Sequence, residues 1–289
     1  MGENPCHVLV LNAAEGLLQL VLARQENTLE NTGDTAALIP LCAQSWHAPS
    51  QGAELLAPAL QNALERLRLQ PGDIGKIACV RGPGSFTGVR LVLATAAGLS
   101  RATRALQAGL DYLTLLAESA RAQCAPLAQE PCRIWVLTHA RRQLIHLQGF
   151  RAVDRGMRPV GDILVLSPLE AVKVIVAGRE EADPAERTLL LGSGLSRNRE
   201  SLREALSMTN MDTVLLPEGF DHPTVSALLD AAAKAEFSLR DAEPCYVRPS
   251  DAEENLESIA ASLGLDPLEA RKKLERLTLR TPGSHLCRE

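Results

Sequence analysis

The sequence predicts an α/β protein of two lobes with mixed sheets, followed by a C-terminal helical hairpin. Two closely spaced apolar runs near the N-terminus predict a β-hairpin, and a short apolar run that enters a glycine-rich turn predicts a strand leading into a helix. The second half of the chain repeats this order of elements. A length of 289 residues suits two lobes, and a hydrophobic fraction of 46% is enough for a sizeable core.

The first lobe begins with the hairpin. Residues 7–11 and 17–23 are apolar runs of strand length, and residues 14–16 between them have the composition of a turn. A third run at residues 36–41 extends the hairpin into a meander. Because helices and a further strand follow, we expect a sheet that mixes antiparallel and parallel pairs.

Two helices and a strand complete the first lobe. Apolar residues recur at three- and four-residue steps over residues 51–69, which predicts an amphipathic helix that ends before Pro71. Residues 77–80 form a short apolar run that is typical of a buried strand. The glycine-rich turn follows at once, and a second helix is predicted over residues 86–103.

The second lobe has the same order of predicted elements as the first, although no sequence repeat is visible. We predict strands at residues 134–138, 144–150 and 189–191, and helices at residues 198–208 and 223–236. The shared order of hairpin, strand and helix indicates an internal duplication of structure.

The C-terminal tail carries two helix-start signals. Ser250 with Glu253, and Asp266 with Glu269, have the spacing of capping boxes, and each precedes an apolar stripe. These signals predict a helical hairpin. The expected domains are a first lobe at residues 1–108, a second lobe at residues 109–249 with a late helix returning to the first lobe, and a helical extension at residues 250–289.

Composition excludes several classes of function. The formal net charge is −5, whereas proteins that bind nucleic acid by themselves usually present a basic surface. The seven cysteines are odd in number and form no CxxC pair, which indicates a reducing compartment. No segment has the pattern of a signal peptide or a membrane span, so we expect a cytoplasmic protein.

Residues 81–90, with the sequence RGPGSFTGVR, are the most informative stretch. Amides exposed at a helix start attract anions, so the turn is a candidate anion site. The local spacing favours the alternative of a tight strand-to-helix connection, since neither a Walker pattern nor GxGxxG is present. Arg90 would lie in the first helical turn, where a cation costs about 0.3–1 kcal/mol unless a carboxylate, a phosphate or a partner offsets it. The candidate residues are Gly82, Pro83, Gly84, Ser85, Phe86, Thr87, Gly88 and Arg90.

This stretch resembles the signature of the TsaB/YeaZ family, GRGPGSFTGxRxGxxxAxGLA, at ten consecutive residues, with Ala94 and Gly98 also in step. The resemblance implies an actin-like fold of the ASKHA, RNase H-like superfamily. It further implies a scaffold subunit without cofactor or metal that pairs with TsaD, an enzyme transferring threonylcarbamoyl to the adenosine beside the tRNA anticodon. TsaE is a further implied partner, homodimers are expected in isolation, and tRNA is contacted only indirectly.

The implied partner surface lies on the two helices of the first lobe. Small residues after the signature would let another helix approach closely, and the preceding helix has an apolar face wider than one sheet needs. Equally, both helices could simply cover their own sheet. The residues expected at the interface are Glu54, Leu56, Leu60, Leu64, Leu91, Ala94, Thr95 and Gly98.

Departures from the family pattern argue against catalysis. Asn12 stands where nucleotide-binding relatives of the superfamily carry an acid, and His139 replaces an aspartate of the second turn. We therefore expect no carboxylate in the two turns that would face a nucleotide. An ATP-binding enzyme of the actin and sugar-kinase type is the alternative. A metallopeptidase is the third and least favoured function, and its only candidate pair of histidine ligands is His139 and His146.

Overall fold

The chain forms two five-stranded mixed sheets with helices on their faces in a computed structural model. The structure describes residues 7–26, 37–124, 132–153, 156–180, 187–209 and 211–247, and a few positions between 260 and 273. The internal contacts divide the chain into two units, Met1–Pro244 and Cys245–Glu289, and both sheets belong to the first unit.

The first sheet has the order β3-β2-β1-β4-β5. The first three strands pair antiparallel, and the last two run parallel to the central strand. Every residue of the central strand is buried, because helices cover both faces of the sheet. The strands are β1 (His7–Asn12), β2 (Leu17–Gln25), β3 (Leu38–His47), β4 (Ile74–Gly82) and β5 (Leu106–Asp111).

The second sheet has the order β10-β9-β6-β7-β8, which repeats the topology of the first sheet. Its hairpin strands also pair antiparallel, and its later strands also add in parallel to the central strand. The internal duplication indicated by the sequence is therefore present in the structure. The strands are β6 (Cys132–Arg141), β7 (Leu144–Val153), β8 (Gly156–Leu166), β9 (Arg187–Leu191) and β10 (Thr213–Leu215).

Seven α-helices lie in the described residues of the first unit, and no helix in the described part of the chain is long and apolar enough to cross a membrane. α1 and α2 belong to the first sheet, and α4, α5 and α6 to the second. They are α1 (Gly52–Leu67), α2 (Phe86–Thr103), α3 (Tyr112–Cys124), α4 (Pro168–Glu180), α5 (Ser193–Arg197), α6 (Arg199–Ser207) and α7 (Val225–Lys234).

Three apolar layers follow from the two-residue period of the strands. Leu9 and Leu11 of β1 face the layer under α1 and α2, whereas Val8 and Val10 face a layer that includes α3 and α7. This second layer also contains Phe150 of the second sheet, so one core joins both sheets. The other face of the second sheet packs against α4 and α6.

The predicted elements are largely present, with two kinds of correction. The third strand, predicted at residues 36–41, is β3 and continues to His47 along the sheet edge, where polar side chains alternate with apolar ones. The sequence analysis missed β5, α3, β8, α4, α5 and β10. β8 is an edge strand with exposed residues from Arg158 to Asp162, so it lacks the apolar run of a buried strand.

Little of the predicted tail hairpin lies within the described residues. In the second unit, Leu268 and Glu269 are helical, and the Leu268 amide donates to Asp266 Oδ1 at 2.9 Å, as a capping residue requires. Ser250 and Glu253 lie outside the described residues. The domain boundaries stay a prediction.

Candidate functional site

The turn between β4 and α2 carries the signature of residues 81–90. β4 ends at Gly82, whose φ of 106° lies in the region that favours glycine, and the Gly82–Pro83 peptide bond is cis. The Ser85 hydroxyl accepts a hydrogen bond from the Gly88 amide at 3.3 Å, as an N-cap residue does. The strand-to-helix connection inferred from the glycines is therefore present.

Two glycines let this turn press against the β1–β2 turn. A Cβ atom at Gly84 would overlap the carbonyl oxygen of Ala14, and one at Gly88 would overlap that of Ala13. The Ser85 amide donates a hydrogen bond to the Ala14 carbonyl oxygen at 2.5 Å. Glycine is therefore required at both positions because two turns of the same chain meet without space for a side chain.

This packing occupies part of the candidate anion site. The amides of Ser85 and Gly88, at the start of α2, both have acceptors within the chain. Gly82 and Pro83 are buried, whereas Phe86 and Thr87 are exposed. An anion site at this turn stays a prediction, and packing alone explains its glycines.

Arg90 contacts a group that the sequence analysis did not consider. Its guanidinium lies over the Phe86 ring, 3.5 Å from the ring centroid, and both residues are exposed. A cation–π contact at an exposed site contributes about 0.5–1 kcal/mol. This is similar to the cost of about 0.3–1 kcal/mol of a cation in the first turn of a helix. The contact with Phe86 therefore offsets that cost without a bound phosphate.

Asn12 ends β1 and is only 1% exposed. Its Nδ2 donates to Gln19 Oε1 at 2.7 Å, and its Oδ1 accepts from the Ala14 amide at 3.0 Å. Gln19 Nε2 in turn donates to the Pro223 carbonyl oxygen at 2.9 Å. Because the Ala14 amide only donates and the Pro223 carbonyl only accepts, the orientations of both side-chain amides are fixed. Asn12 therefore fixes the conformation of the β1–β2 turn through these two hydrogen bonds.

Glu15, three residues further on, brings a carboxylate between the two sheets. Its Oε1 accepts from the Ser193 hydroxyl at 2.6 Å, and its Oε2 lies 3.5 Å from the Tyr112 hydroxyl. That hydroxyl also lies 3.0 Å from the Asp221 carbonyl oxygen and 3.4 Å from His222 Nδ1. The expectation of a cleft without carboxylates is therefore wrong, because Glu15 directly follows the residues that were considered.

Burial changes the acid–base properties of this cluster. Burial and, to a smaller extent, the nearby Asp221 carboxylate raise the pKa of Glu15 from 4.5 to about 7, although the Ser193 hydrogen bond acts to lower it. Burial likewise raises the pKa of Asp221 to about 6 and lowers the pKa of His222. The cluster thus contains a half-buried carboxyl group whose pKa is raised well above its ordinary value.

The second hairpin turn meets the first at the same cluster. The His139 amide donates to Ser193 Oγ at 2.9 Å, so Ser193 and Glu15 join the two turns. The His139 and His146 pair of the peptidase alternative does not form. His139 pairs with Ile145 and His146 with Thr138, which places the two histidines on opposite faces of the hairpin.

The described residues also contain no group of three or more histidine, cysteine, aspartate or glutamate side chains arranged to hold a metal ion. The peptidase hypothesis depends on a group of two or three such ligands.

Three residues expected at a partner surface are buried in the chain itself. Leu56, Leu60 and Leu64 are 1%, 7% and 5% exposed and pack in the layer between α1 and the first sheet. This corrects the expectation for α1, whose apolar face is used by its own sheet. The remaining expected residues are the exposed Glu54, Ala94 and Gly98 and the half-buried Leu91 and Thr95.

A groove of about 620 Å³ lies beside α1, at the edge strand β3. Sequence reasoning missed it because the strand was predicted to end at residue 41. Its lining mixes apolar and polar side chains, which are Gln44, Ser45, Trp46, Leu55, Pro58, Ala59 and Asn62.

Known proteins resemble this chain in sequence. Residues 39–176, somewhat less than half of the chain, match the family model described as TsaD: tRNA N6-adenosine threonylcarbamoyltransferase. The chain is 33% identical over 92 residues to the tRNA threonylcarbamoyladenosine biosynthesis protein TsaB of Escherichia coli (strain K12). That match covers 32% of this chain and 37% of the Escherichia coli protein, so it spans well under half of that relative.

Two solved structures from Pseudomonas aeruginosa share the fold. An uncharacterized protein with similarity to peptidase YEAZ superposes with a TM-score of 0.62 at 22% identity, covering 84% of this chain and 100% of that one. YeaZ superposes with a TM-score of 0.59 at 20% identity, covering 83% and 99%. The predicted α/β fold with mixed sheets and the predicted resemblance to the TsaB/YeaZ family are thus confirmed.

Proposed function

We propose that this chain is a non-catalytic subunit in the biosynthesis of tRNA threonylcarbamoyladenosine that pairs with a TsaD-like enzyme. The observation that carries the proposal is the 33% identity to TsaB over 92 residues. A TsaE-like protein would join the assembly in the cytoplasm, and homodimers would form in isolation. The net charge of −5 agrees with only indirect contact to tRNA.

The geometry at the end of β1 supports a role without nucleotide chemistry. Asn12 forms hydrogen bonds of fixed direction with Gln19 and Ala14. The position at which nucleotide-binding relatives would hold a metal-bound phosphate therefore has a structural role in this chain. Glu15 is likewise hydrogen-bonded to Ser193. Such a subunit would act by favouring one conformation of its partner, through contacts that differ between the partner's active and inactive states.

The surface proposed for the partner is the exposed stripe of α2 together with Glu54 of α1. Ala94 and Gly98 are exposed one helical turn apart, and a Cβ atom at Gly98 would meet nothing within 4 Å. A second helix could therefore approach α2 closely along this stripe. Leu60 is not a suitable probe of the surface, since it belongs to the core.

Gly98→Leu tests this surface. We expect the variant to bind the TsaD-like protein of the same cell roughly 10-fold more weakly or worse, because a leucine would separate closely packed helices. Its fold should be intact, since the site is open in the isolated chain. Titration calorimetry with the purified partner measures the change. Gly98→Ala is the matched control and should retain most of the affinity. Equal affinities of Gly98→Leu and wild type would reject this surface.

The alternative function is that of an ATP-binding enzyme, and the match of residues 39–176 to the TsaD model is the observation that favours it. With Asn12 in place of an acid, we expect calorimetric titration with Mg-ATP to show no binding tighter than millimolar. Titration with magnesium alone is the control. A micromolar dissociation constant for Mg-ATP would restore the enzyme hypothesis.

A further inference from the structure

The edges of the two sheets are formed by β3, β5, β8 and β10. An uncovered edge strand can pair with a strand of another chain, so proteins usually keep their edge strands short, bent, charged or covered. β10 has only three residues. β5 is covered at Gln107, which exchanges two backbone hydrogen bonds with Ser238, at 2.7 and 2.9 Å. Both of these edges are therefore protected.

β8 is protected by its shape and its charges. Its pairing with β7 shifts in register, and Gly161 has a φ of 73°, so the strand is bent. The exposed side chains of Arg158 and Asp162 place charges on the same edge. Both features oppose the addition of another strand.

β3 lacks these features over its second half. Pro40 and a register shift against β2 interrupt the first half. From Cys42 to His47 the strand pairs with β2 in unbroken register, and Ala43 and Ser45 are exposed. None of its ten residues is aspartate, glutamate, lysine or arginine. Among the described strands, none pairs with the outer side of β3, so this edge is available for pairing.

We propose that the outer side of β3 is a self-association surface, which pairs antiparallel with β3 of a second copy of this chain. The first sheets of the two copies would then form one continuous sheet. The proposal specifies the homodimer that is part of the proposed function and rests on it in that respect, but it does not depend on a TsaD-like partner.

The absence of charge favours a second copy as the occupant of this edge. Two copies that pair antiparallel across a two-fold axis place each residue of β3 opposite a residue of the same strand. A charged residue near the axis would therefore face its own copy, and like charges directly opposite each other destabilise a strand pair. β3 brings no such charges together.

The groove beside α1 has the same neutral character. It lies at this edge, has a volume of about 620 Å³, and none of the residues that line it is ionisable. Successive side chains of a strand point to opposite faces of the sheet, so every second side chain of an added strand would point towards α1. The uncharged Gln44 and Trp46 of the second copy suit such a groove.

Sedimentation equilibrium of the full chain from about 1 μM to about 1 mM tests the proposal. Wild type is expected to show a monomer–dimer equilibrium. Ser45→Lys should weaken the dimer roughly 10-fold or more, because two lysines would meet at the joined edges. Ser201→Lys, the same change at an exposed position of α6, is the matched control. Its dissociation constant should lie within about twofold of the wild-type value, because a distant charge is screened.

An exchange of charges identifies the second copy as the occupant. Ser45→Glu alone should weaken the dimer as Ser45→Lys does, whereas an equimolar mixture of the two variants should form a heterodimer. Hydrogen exchange locates the interface. Protection of residues 43–46 should rise with the concentration of wild type and not with that of Ser45→Lys, and protection of β7 should stay constant in both.

Three outcomes would overturn the proposal. They are a wild type that stays monomeric up to about 1 mM, a dimer that Ser45→Lys does not weaken, and a mixture of the two charged variants that associates no better than either alone. Gly98→Leu separates this surface from the one proposed for the TsaD-like protein, because it should leave the dimer intact. Loss of the dimer in Gly98→Leu would place it on α2 and also contradict the proposal.

Discussion

Replacing Gly88 with alanine is expected to destabilise the protein by about 3 kcal/mol, because the new Cβ atom has no space. It would overlap the Ala13 carbonyl oxygen, a backbone atom that cannot move away as the end of a flexible side chain can. Relief of the overlap would shift α2 away from the β1–β2 turn and break the bond between the Ser85 amide and Ala14. Urea unfolding at pH 7 measures the loss.

Gly98→Ala provides the control in the same helix. A Cβ atom at Gly98 meets nothing within 4 Å, so only helix propensity acts there and the variant should be about 1 kcal/mol more stable than wild type. The two substitutions are chemically identical and should have effects of opposite sign. A Gly88→Ala variant within about 0.5 kcal/mol of wild type would disprove the close packing of the two turns.

Asn12→Asp is expected to cost on the order of 3–5 kcal/mol at pH 7, although it restores the residue type of nucleotide-binding relatives. The substitution removes the Nδ2 donor and places a carboxylate oxygen against Gln19 Oε1 in a site that is 1% exposed. Gln19 cannot turn to compensate, because its Nε2 is needed by the Pro223 carbonyl oxygen. Chemical unfolding detects this loss.

The same variant should recover stability in acid. Once protonated, the introduced carboxyl group can again donate to Gln19, so the difference from wild type should shrink as the pH falls below the raised pKa of this buried group. Asn62→Asp, at an exposed position of α1, is the matched control. Its Oδ1 accepts from Arg66 Nε at 3.0 Å, and a carboxylate preserves that bond. The control should lie within about 0.5 kcal/mol of wild type. Similar effects of both substitutions would contradict the proposed role of Asn12.

Local signals determined the elements that the sequence predicted well. β1 is a continuous apolar run because both faces of its sheet are covered, and α2 begins where Ser85 caps the chain after a glycine turn. The three- and four-residue period of α1 also set its ends within about two residues of the structure. Each of these signals depends on neighbours along the chain, so a single sequence contains it.

Elements with weak local signals were missed. β5 is short and includes Gln107 and Gly109, and the edge strand β8 is largely polar. Their pairing with β4 and β7 stabilises them, and pairing partners are not visible in local spacing. The face of α1 was misjudged for a related reason, because periodicity shows that Leu56 and Leu60 share a face and not whether a sheet or a partner covers it.

The sequence by itself determined β1 to β4 with α1 and α2, the signature turn and the resemblance to TsaB, because these depend on residues close together in the chain. Only the tertiary structure decided the chemistry of the cleft. Glu15 is an ordinary turn residue in the sequence, and its burial depends on Ser193, 178 residues away. The raised pKa of its carboxyl group follows from that distant contact and from the water that the two sheets exclude.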